Sequence, residues 1–292
     1  MVMSHLFWLA SYPKSGNTWV RIFLAHWFHG ADVDINRLDE SGMSIQETWP
    51  EAWKAALGHI PKRHEDQARA RAHLQRYIAS QRGGVSICKT HNACVSYKGY
   101  PLIDIESTGG ALYIIRDPRD ICLSMMRHAD ISEEEAVERI NGFSTFTETK
   151  EGICEYVSDW STHVNSWKWA PKIRYEDLWH DPLAYFDQIL ASFCEETDMG
   201  RLGDAISRSD LHKMRKIEQK NGFSEALNGK FFGKGGSTWR ERLSVRSQKE
   251  IWAKHGETMW ANGYRETPWQ GQDCGSPVRV MTTGSIPASQ GR

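Results

Sequence analysis

Residues 6–27 constrain the fold more than any other stretch of the chain. Leu6-Phe7-Trp8-Leu9-Ala10 is a short, continuously apolar run, the pattern of a strand buried on both faces. It stops at Ser11-Tyr12-Pro13-Lys14-Ser15-Gly16-Asn17-Thr18, a run of turn formers. Helical spacing follows at once, with Trp19, Ile22, Phe23, His26 and Trp27 at i, i+3, i+4, i+7 and i+8. Strand, polar glycine-containing loop and amphipathic helix form the βα unit that builds phosphate sites. Such a site needs inward-pointing amides, a glycine that permits close approach, a hydroxyl donor and a cation. The loop supplies all of these. It is not a Walker A loop, because Lys14 precedes Gly16 where G-x-x-x-x-G-K-[ST] puts the lysine after the glycine.

The rest of the chain repeats the alternation. Val85-Ser86-Ile87-Cys88 reads as a second buried strand ending at Lys89-Thr90-His91, and Ala111-Leu112-Tyr113-Ile114-Ile115 as a third ending at Arg116. Lys172-Ile173-Arg174-Tyr175 reads as a fourth. Asp117-Pro118 opens a helix with a side-chain N-cap and proline at the first helical position. Ser132-Glu133-Glu134-Glu135 is a capping-box start, and Asp181-Pro182 opens a helix carrying Leu183, Phe186, Ile189, Leu190 and Phe193 on one face. Residues 31–84 read as helical. The fold class expected is α/β, an open parallel sheet flanked by helices with a P-loop-like phosphate-binding core. Residues 1–266 read as one domain and 267–292, rich in Gly, Ser, Thr and Pro without periodicity, as a flexible tail.

Charge narrows the partners. Lys plus Arg number 36 against 37 Asp plus Glu, a net charge of −1, so neither nucleic acid nor an anionic membrane surface is met by bulk attraction. A bound anion must instead meet a local cluster of donors. No apolar run approaches the ~20 residues of a membrane span, and Leu6–Ala10 is too short for a signal-peptide core. The six cysteines show no paired or zinc-binding spacing and there is no N-glycosylation sequon, so the chain reads as reduced and cytoplasmic. Thirteen Trp hint at aromatic-lined binding surfaces.

The loop Tyr12–Trp19, Y-P-K-S-G-N-T-W, resembles the 5′-phosphosulfate loop of sulfotransferases that use 3′-phosphoadenosine 5′-phosphosulfate (PAPS). The resemblance implies that Lys14, Ser15, Gly16, Asn17, Thr18 and Trp19 contact the cofactor. Ile114-Ile115-Arg116-Asp117-Pro118-Arg119-Asp120 through Ser124 is similar to the family's second motif, which assigns Arg116 and Ser124 to the 3′-phosphate. Lys89-Thr90-His91 is similar to the family's K-T-H, whose histidine is the catalytic base. His91 also follows a buried strand, where α/β sheets gather ligands, and imidazole suits proton transfer near neutral pH. The other eleven histidines have no such context. Arg174-Tyr175-Glu176-Asp177-Leu178 resembles the R-Y-E-D-L that places Tyr175 near adenine, and Ser209–Met214 faintly resembles S-F-x-x-M, with Leu211 replacing the aromatic residue.

Phe231-Phe232-Gly233-Lys234-Gly235-Gly236-Ser237-Thr238-Trp239 resembles the C-terminal 3′-phosphate loop, which assigns cofactor contacts to Phe232, Gly233, Lys234, Gly235 and Gly236. Gly233 stands where animal cytosolic enzymes carry arginine, with one residue fewer between lysine and tryptophan. Losing a guanidinium removes a bidentate anion contact, so Lys234 and the Gly235 and Gly236 amides are expected to carry more. The form F-x-G-K-G-G is similar to bacterial sulfotransferases, including those acting on glycopeptide antibiotics. A dimer-contact pattern appears only partly, in Arg240, Val245 and Lys249, and Lys249 stands where the pattern usually has an acid, so the resemblance allows a homodimer without requiring one.

The resemblance implies in-line sulfuryl transfer from PAPS to a hydroxyl or amine of a small-molecule or natural-product acceptor, releasing PAP and needing no metal. His91 is the implied base, Lys14 neutralises the bridging oxygen, Lys89 assists at the sulfuryl oxygens and Ser124 moderates Lys14. Trp19 and Tyr175 contact the adenine. Residues 31–84 and 129–170 are the expected acceptor-side helical segments, with Trp49, Trp53, Phe143, Phe146 and Phe223 as candidate walls. Two alternatives stand beside this reading. A P-loop-type nucleotide kinase is disfavoured by the misplaced lysine, and a catalytically inactive nucleotide-binding protein by the presence of both Lys14 and His91.

Overall fold

The computed structural model describes residues 4–30, 33–38, 45–81, 84–142, 145–193, 196–227, 230–233 and 235–266. Lys234, Phe143, Cys194, Cys274 and the expected tail at 267–292 lie outside the described residues. A five-stranded sheet runs in the order Ile45–Gln46, Val85–Thr90, His5–Ser11, Thr108–Ile115 and Lys172–Arg174, every pairing parallel. The first apolar run lies at its centre, with Phe7 opposite Ile87 and Trp8 opposite Ala111.

Alternation along the strands sorts the two cores. Leu6, Trp8, Ala10, Cys88, Tyr113 and Ile115 face one apolar cluster, whereas Leu9, Ile87, Leu112, Ile114 and Ile173 face the other. Both sides are covered by helices, which is why the strands read as unbroken apolar runs. The helix Asn17–His29 is buried all the way from Asn17 to Trp27, not on one face as its periodicity suggests, and Phe23 stacks on Phe186 with ring centroids 3.8 Å apart.

The predicted caps form. Asp117 accepts from Arg119 N, Ser132 from Glu135 N and Asp181 from Ala184 N. Four expectations are corrected. The strand at Lys172 ends at Arg174, and Tyr175 begins a short helix, Tyr175–His180. Leu183 is exposed rather than on the buried face of its helix. Residues 31–84 include the strand Ile45–Gln46, too short to show a period. Residues 129–170 are not only helical: Phe146–Glu148 and Cys154–Tyr156 form an antiparallel hairpin between the helices Glu133–Ile140 and Trp160–Ser166.

Cys88, Cys94, Cys122 and Cys154 are free thiols. Among the described residues no helix is long and apolar enough to cross a membrane, and no group of three or more His, Cys, Asp and Glu could hold a metal ion.

Candidate active site

Parallel pairing brings the carboxyl ends of the three central strands, at Ser11, Thr90 and Ile115, to one edge. The loops leaving them line a cavity of about 1190 Å³. Lys14, Gly16, Thr18 and Trp19 line it, with Lys89, His91, Arg116, Ser124, Tyr175, Phe232, Gly233, Gly235 and Gly236.

The Lys14 loop is built for an anion. Lys14 and Gly16 both have left-handed backbones, with φ of 69° and 99°. Lys14 Nζ and Ser15 Oγ are buried and, among the described residues, have no hydrogen-bond partner. The Lys14 ammonium lies 3.9 Å from the centroid of the Phe231 ring. Burial above all, with Arg127, Arg116 and Lys89 nearby, pulls the lysine down to about 7, although Glu225 opposes them. Unpaired donors and mutually repelling cations in one pocket are what an anionic ligand would satisfy.

Ser15 does not line the cavity, whereas Asn17, Thr18 and Trp19 line it and are also held by the surrounding fold. Asn17 Nδ2 donates to Leu9 O at 3.0 Å and to Ser11 Oγ at 3.3 Å, so its amide ties the loop to the strand. Thr18 Oγ1 donates to Glu225 Oε2 at 3.0 Å, while Arg21, buried in the same helix, pairs with Glu225 at 2.8 Å. Burial alone would raise Glu225, but Arg21 and Lys89 hold it down at about 2. Trp19 packs edge-on against Tyr175, Trp179 and Phe186.

His91 sits in a tightly tethered turn. Its Nδ1 donates to Ser11 O at 2.7 Å, which leaves the neutral ring's lone pair on Nε2. Its backbone N–H donates to Glu155 Oε1 at 2.6 Å, and its carbonyl accepts from His163 Nε2 at 3.0 Å. Burial, then Lys89, lowers His91 to about 3 against the opposing pull of Glu155. The next residue, Asn92, donates to Glu47 Oε2 at 3.1 Å and accepts from Tyr156 N at 2.9 Å. Lys89 Nζ donates to Gln46 Oε1 at 3.3 Å.

The second motif joins the remaining loops. Arg116 donates to Lys14 O at 3.1 Å and Gly236 O at 3.5 Å, with its guanidinium 4.2 Å from the Tyr175 ring centroid. Asp120 accepts from Ser237 Oγ, Thr238 N and Trp239 N, anchoring the C-terminal loop to the helix Pro118–Ala129. Glu176, pushed up to about 7 by burial and then Asp117, accepts from Asp117 N at 2.9 Å. Ser124 is buried on the same helix and accepts from Arg127 Nη2 at 3.3 Å.

Among the candidate acceptor walls, Trp49 and Phe146 line the cavity. Trp53 and Phe223 do not: both are core residues, and Trp53 Nε1 donates to Glu47 O. Two histidines gain a context the sequence lacked. His128 lines the cavity beside Lys14, and His163 buttresses His91 while its Nδ1 meets Tyr113 OH at 2.8 Å. Glu47, Glu155, Glu225 and Arg127 were missed because each reads locally as an ordinary charge on a helix or turn.

A parallel sheet that gathers a glycine loop, a neutral histidine and arginine-bearing loops at its carboxyl edge defines an anion-binding α/β protein with a P-loop-like core. The sulfotransferase domain model matches residues 5–262, and the chain belongs to that family. It is 22% identical over 259 residues to luciferin sulfotransferase of Photinus pyralis, covering 83% of this chain but 66% of that protein's length. Its fold is similar to that of mouse sulfotransferase SULT7A1 complexed with PAP (17% identity, TM-score 0.55, 87% of this chain and 84% of that one). It is also similar to retinol dehydratase in complex with androsterone and PAP (15% identity, TM-score 0.56, 89% and 82%).

Proposed function

We propose that the protein transfers a sulfuryl group from PAPS to a hydroxyl or amine of a small acceptor. The observation that carries this reading is that Lys14, whose buried Nζ has no hydrogen-bond partner among the described residues, and a neutral His91 line one cavity. PAPS, when bound, supplies the sulfuryl group and departs as PAP. Lys14, Ser15 and the amides of their loop hold its 5′ end, and Arg116 and Ser124 its 3′-phosphate.

His91 Nε2 takes the proton of the acceptor as the new O–S or N–S bond forms. Its Nδ1–H stays on Ser11 O, and the buried Glu155 carboxylate stabilises the imidazolium. Lys14 neutralises the oxygen that keeps the electron pair of the breaking S–O bond, and Lys89 assists at the sulfuryl oxygens. Preformed cations shielded from water commonly contribute several kcal/mol to such a step.

The acceptor end of the cavity mixes Trp49 and Phe146 with Thr48, Thr147 and Glu148, which suits an aromatic ring bearing polar groups. Incubation with labelled PAPS and a panel of phenols (luciferin among them), glycopeptides, sugars and lipids tests the reading. Label transfer that requires His91 supports it. PAP binding without turnover over the whole panel identifies an inactive nucleotide-binding protein, and a thermal shift with ATP plus Mg²⁺ but not PAP identifies a kinase.

A further inference from the structure

Gly233 and Arg127 share one space. A Cβ on Gly233 would lie 2.8 Å from Arg127 Nη2, 3.0 Å from Cζ and 3.1 Å from Nη1. The backbone of Gly233 is outside the left-handed region, so its φ does not demand glycine. A side chain there would instead have to displace the guanidinium that rests on it. Arg127 rises from the helix Pro118–Ala129, three residues after Ser124, whose Oγ accepts from its Nη2 at 3.3 Å. Arg116, Arg242 and Gly236 line the same end of the cavity.

Positive charge prevails at that end, although Tyr175 and Glu218 oppose it at Arg127. Arg127 fronts the cavity, yet desolvation by the surrounding walls and then the charges of Arg116 and Arg242 press its proton affinity below the usual value. Among the described residues, Arg116, Arg127 and Arg242 make no ion pair with a carboxylate within 4.0 Å. Asp120, a carboxylate that Arg116 acts on, is already engaged by Ser237, Thr238 and Trp239. Converging guanidiniums beside a buried hydroxyl fit a dianion such as a phosphate monoester.

We propose that Arg127 is a phosphate-binding residue: its helix-borne guanidinium, seated on Gly233 and beside Ser124 and Arg116, receives the nucleotide's 3′-phosphate in place of an arginine on the C-terminal loop. This rests on the PAPS reading above and adds a guanidinium to the loop lysine and glycine amides that were expected to carry more of the 3′-phosphate. Gly233 is then the partner of Arg127, kept side-chain-free so that the guanidinium can lie flat.

Calorimetry with PAP and with AMP, which lacks the 3′-phosphate, tests this. Wild type should prefer PAP. Arg127→Met should weaken PAP by roughly ten- to hundredfold, the loss of a charge-assisted contact, and leave AMP affinity unchanged. Gly233→Ala displaces the guanidinium without deleting it and should weaken PAP alone, with no further loss on adding Arg127→Met. Arg127→Met combined with Gly233→Arg returns a guanidinium from the loop and should restore the preference. If Arg127→Met costs PAP and AMP equally and Gly233→Ala is silent, Arg127 supports the fold and the proposal fails. A failure of Arg127→Met to fold leaves Gly233→Ala to decide by the same comparison. If wild type itself fails to prefer PAP, the PAPS reading falls, a different result from a preference that Arg127→Met does not touch.

Discussion

Tyr175 Cδ2 lies 2.5 Å from the point that a Cβ on Gly16 would occupy, so the ring closes the back of the Lys14 loop. Gly16 also has a φ of 99°, which side-chain-bearing residues rarely adopt. Two distant motifs therefore specify each other's residue type. Gly16→Ala should lower stability by about 1–3 kcal/mol from backbone strain alone and abolish measurable PAP binding. Tyr175→Leu added to it should recover only part of the loss, because the contact is relieved and the φ is not. Urea unfolding with PAP calorimetry reads both, and wild-type behaviour of Gly16→Ala would show that the ring simply yields.

His91 should prove to be a base and not a binding residue. His91→Ala is expected to lower kcat by roughly 10²–10⁴-fold with PAP affinity nearly unchanged. The neutral ring prevails above its folded pKa of about 3, so nitrogen NMR of the free protein at pH 6 should find a neutral, Nδ1-protonated imidazole. An imidazolium at pH 6, or a folded His91→Ala enzyme with normal turnover, removes it from the role.

Lys14 links binding to pH. Held down at about 7, it is largely neutral at pH 8 in the free protein, and an anion placed against it favours the ammonium. The complex then carries more protons than the free protein, so PAP affinity falls as pH rises through and above 7. Calorimetry at pH 8 in buffers of different ionisation heat should show proton uptake that Lys14→Met abolishes. Lys14→Met and Lys14→Arg should both lower kcat by at least ~10²-fold, since a planar fork does not replace a point charge beside Gly16. A Lys14→Met protein that transfers normally at saturating PAPS would make Lys14 a binding residue only.

Arg116 holds two loops at once through Lys14 O and Gly236 O. Arg116→Ala should therefore weaken AMP as well as PAP, with PAP losing roughly ten- to hundredfold, the cost of a charged contact. Loss confined to PAP would mean that the loops keep their shape without it.

Glu47 is a positioning residue. Its buried carboxylate meets Arg71 at 3.2 Å, Gln75 at 2.6 Å and Asn92 at 3.1 Å, and Asn92 follows His91 directly. Glu47→Ala strands a buried arginine and should cost about 3–5 kcal/mol of stability. Below its lowered Tm, the folded fraction should retain PAP binding but lose kcat, because the His91 turn is no longer pinned. Unchanged kcat in that fraction would confine Glu47 to a structural part.

The strand, glycine loop and helix at residues 5–29, and the caps at Asp117, Ser132 and Asp181, were legible because their causes lie within a few residues. Apolar periodicity, turn chemistry and capping act over that range, so Lys14, Gly16, His91 and Arg116 could be placed at strand ends from sequence alone. The strand Ile45–Gln46 and the hairpin at Phe146–Tyr156 were not legible. Each is held by partners remote in the chain, Cys88 and Lys89 for the first and the His91 turn for the second.

Charge assignment divides the same way. Lys14 is a loop cation in any reading of the sequence, whereas Arg127 looks like a helix-face residue and Glu225 like a turn residue. Tertiary packing alone seats Arg127 on Gly233 and Glu225 on Thr18 and Arg21. The reason is physical: local propensities determine where the backbone turns, but the energy of a charge depends on which walls remove its water and which charges face it. Many of those walls and charges come from segments remote in the chain, and only the folded chain brings them together.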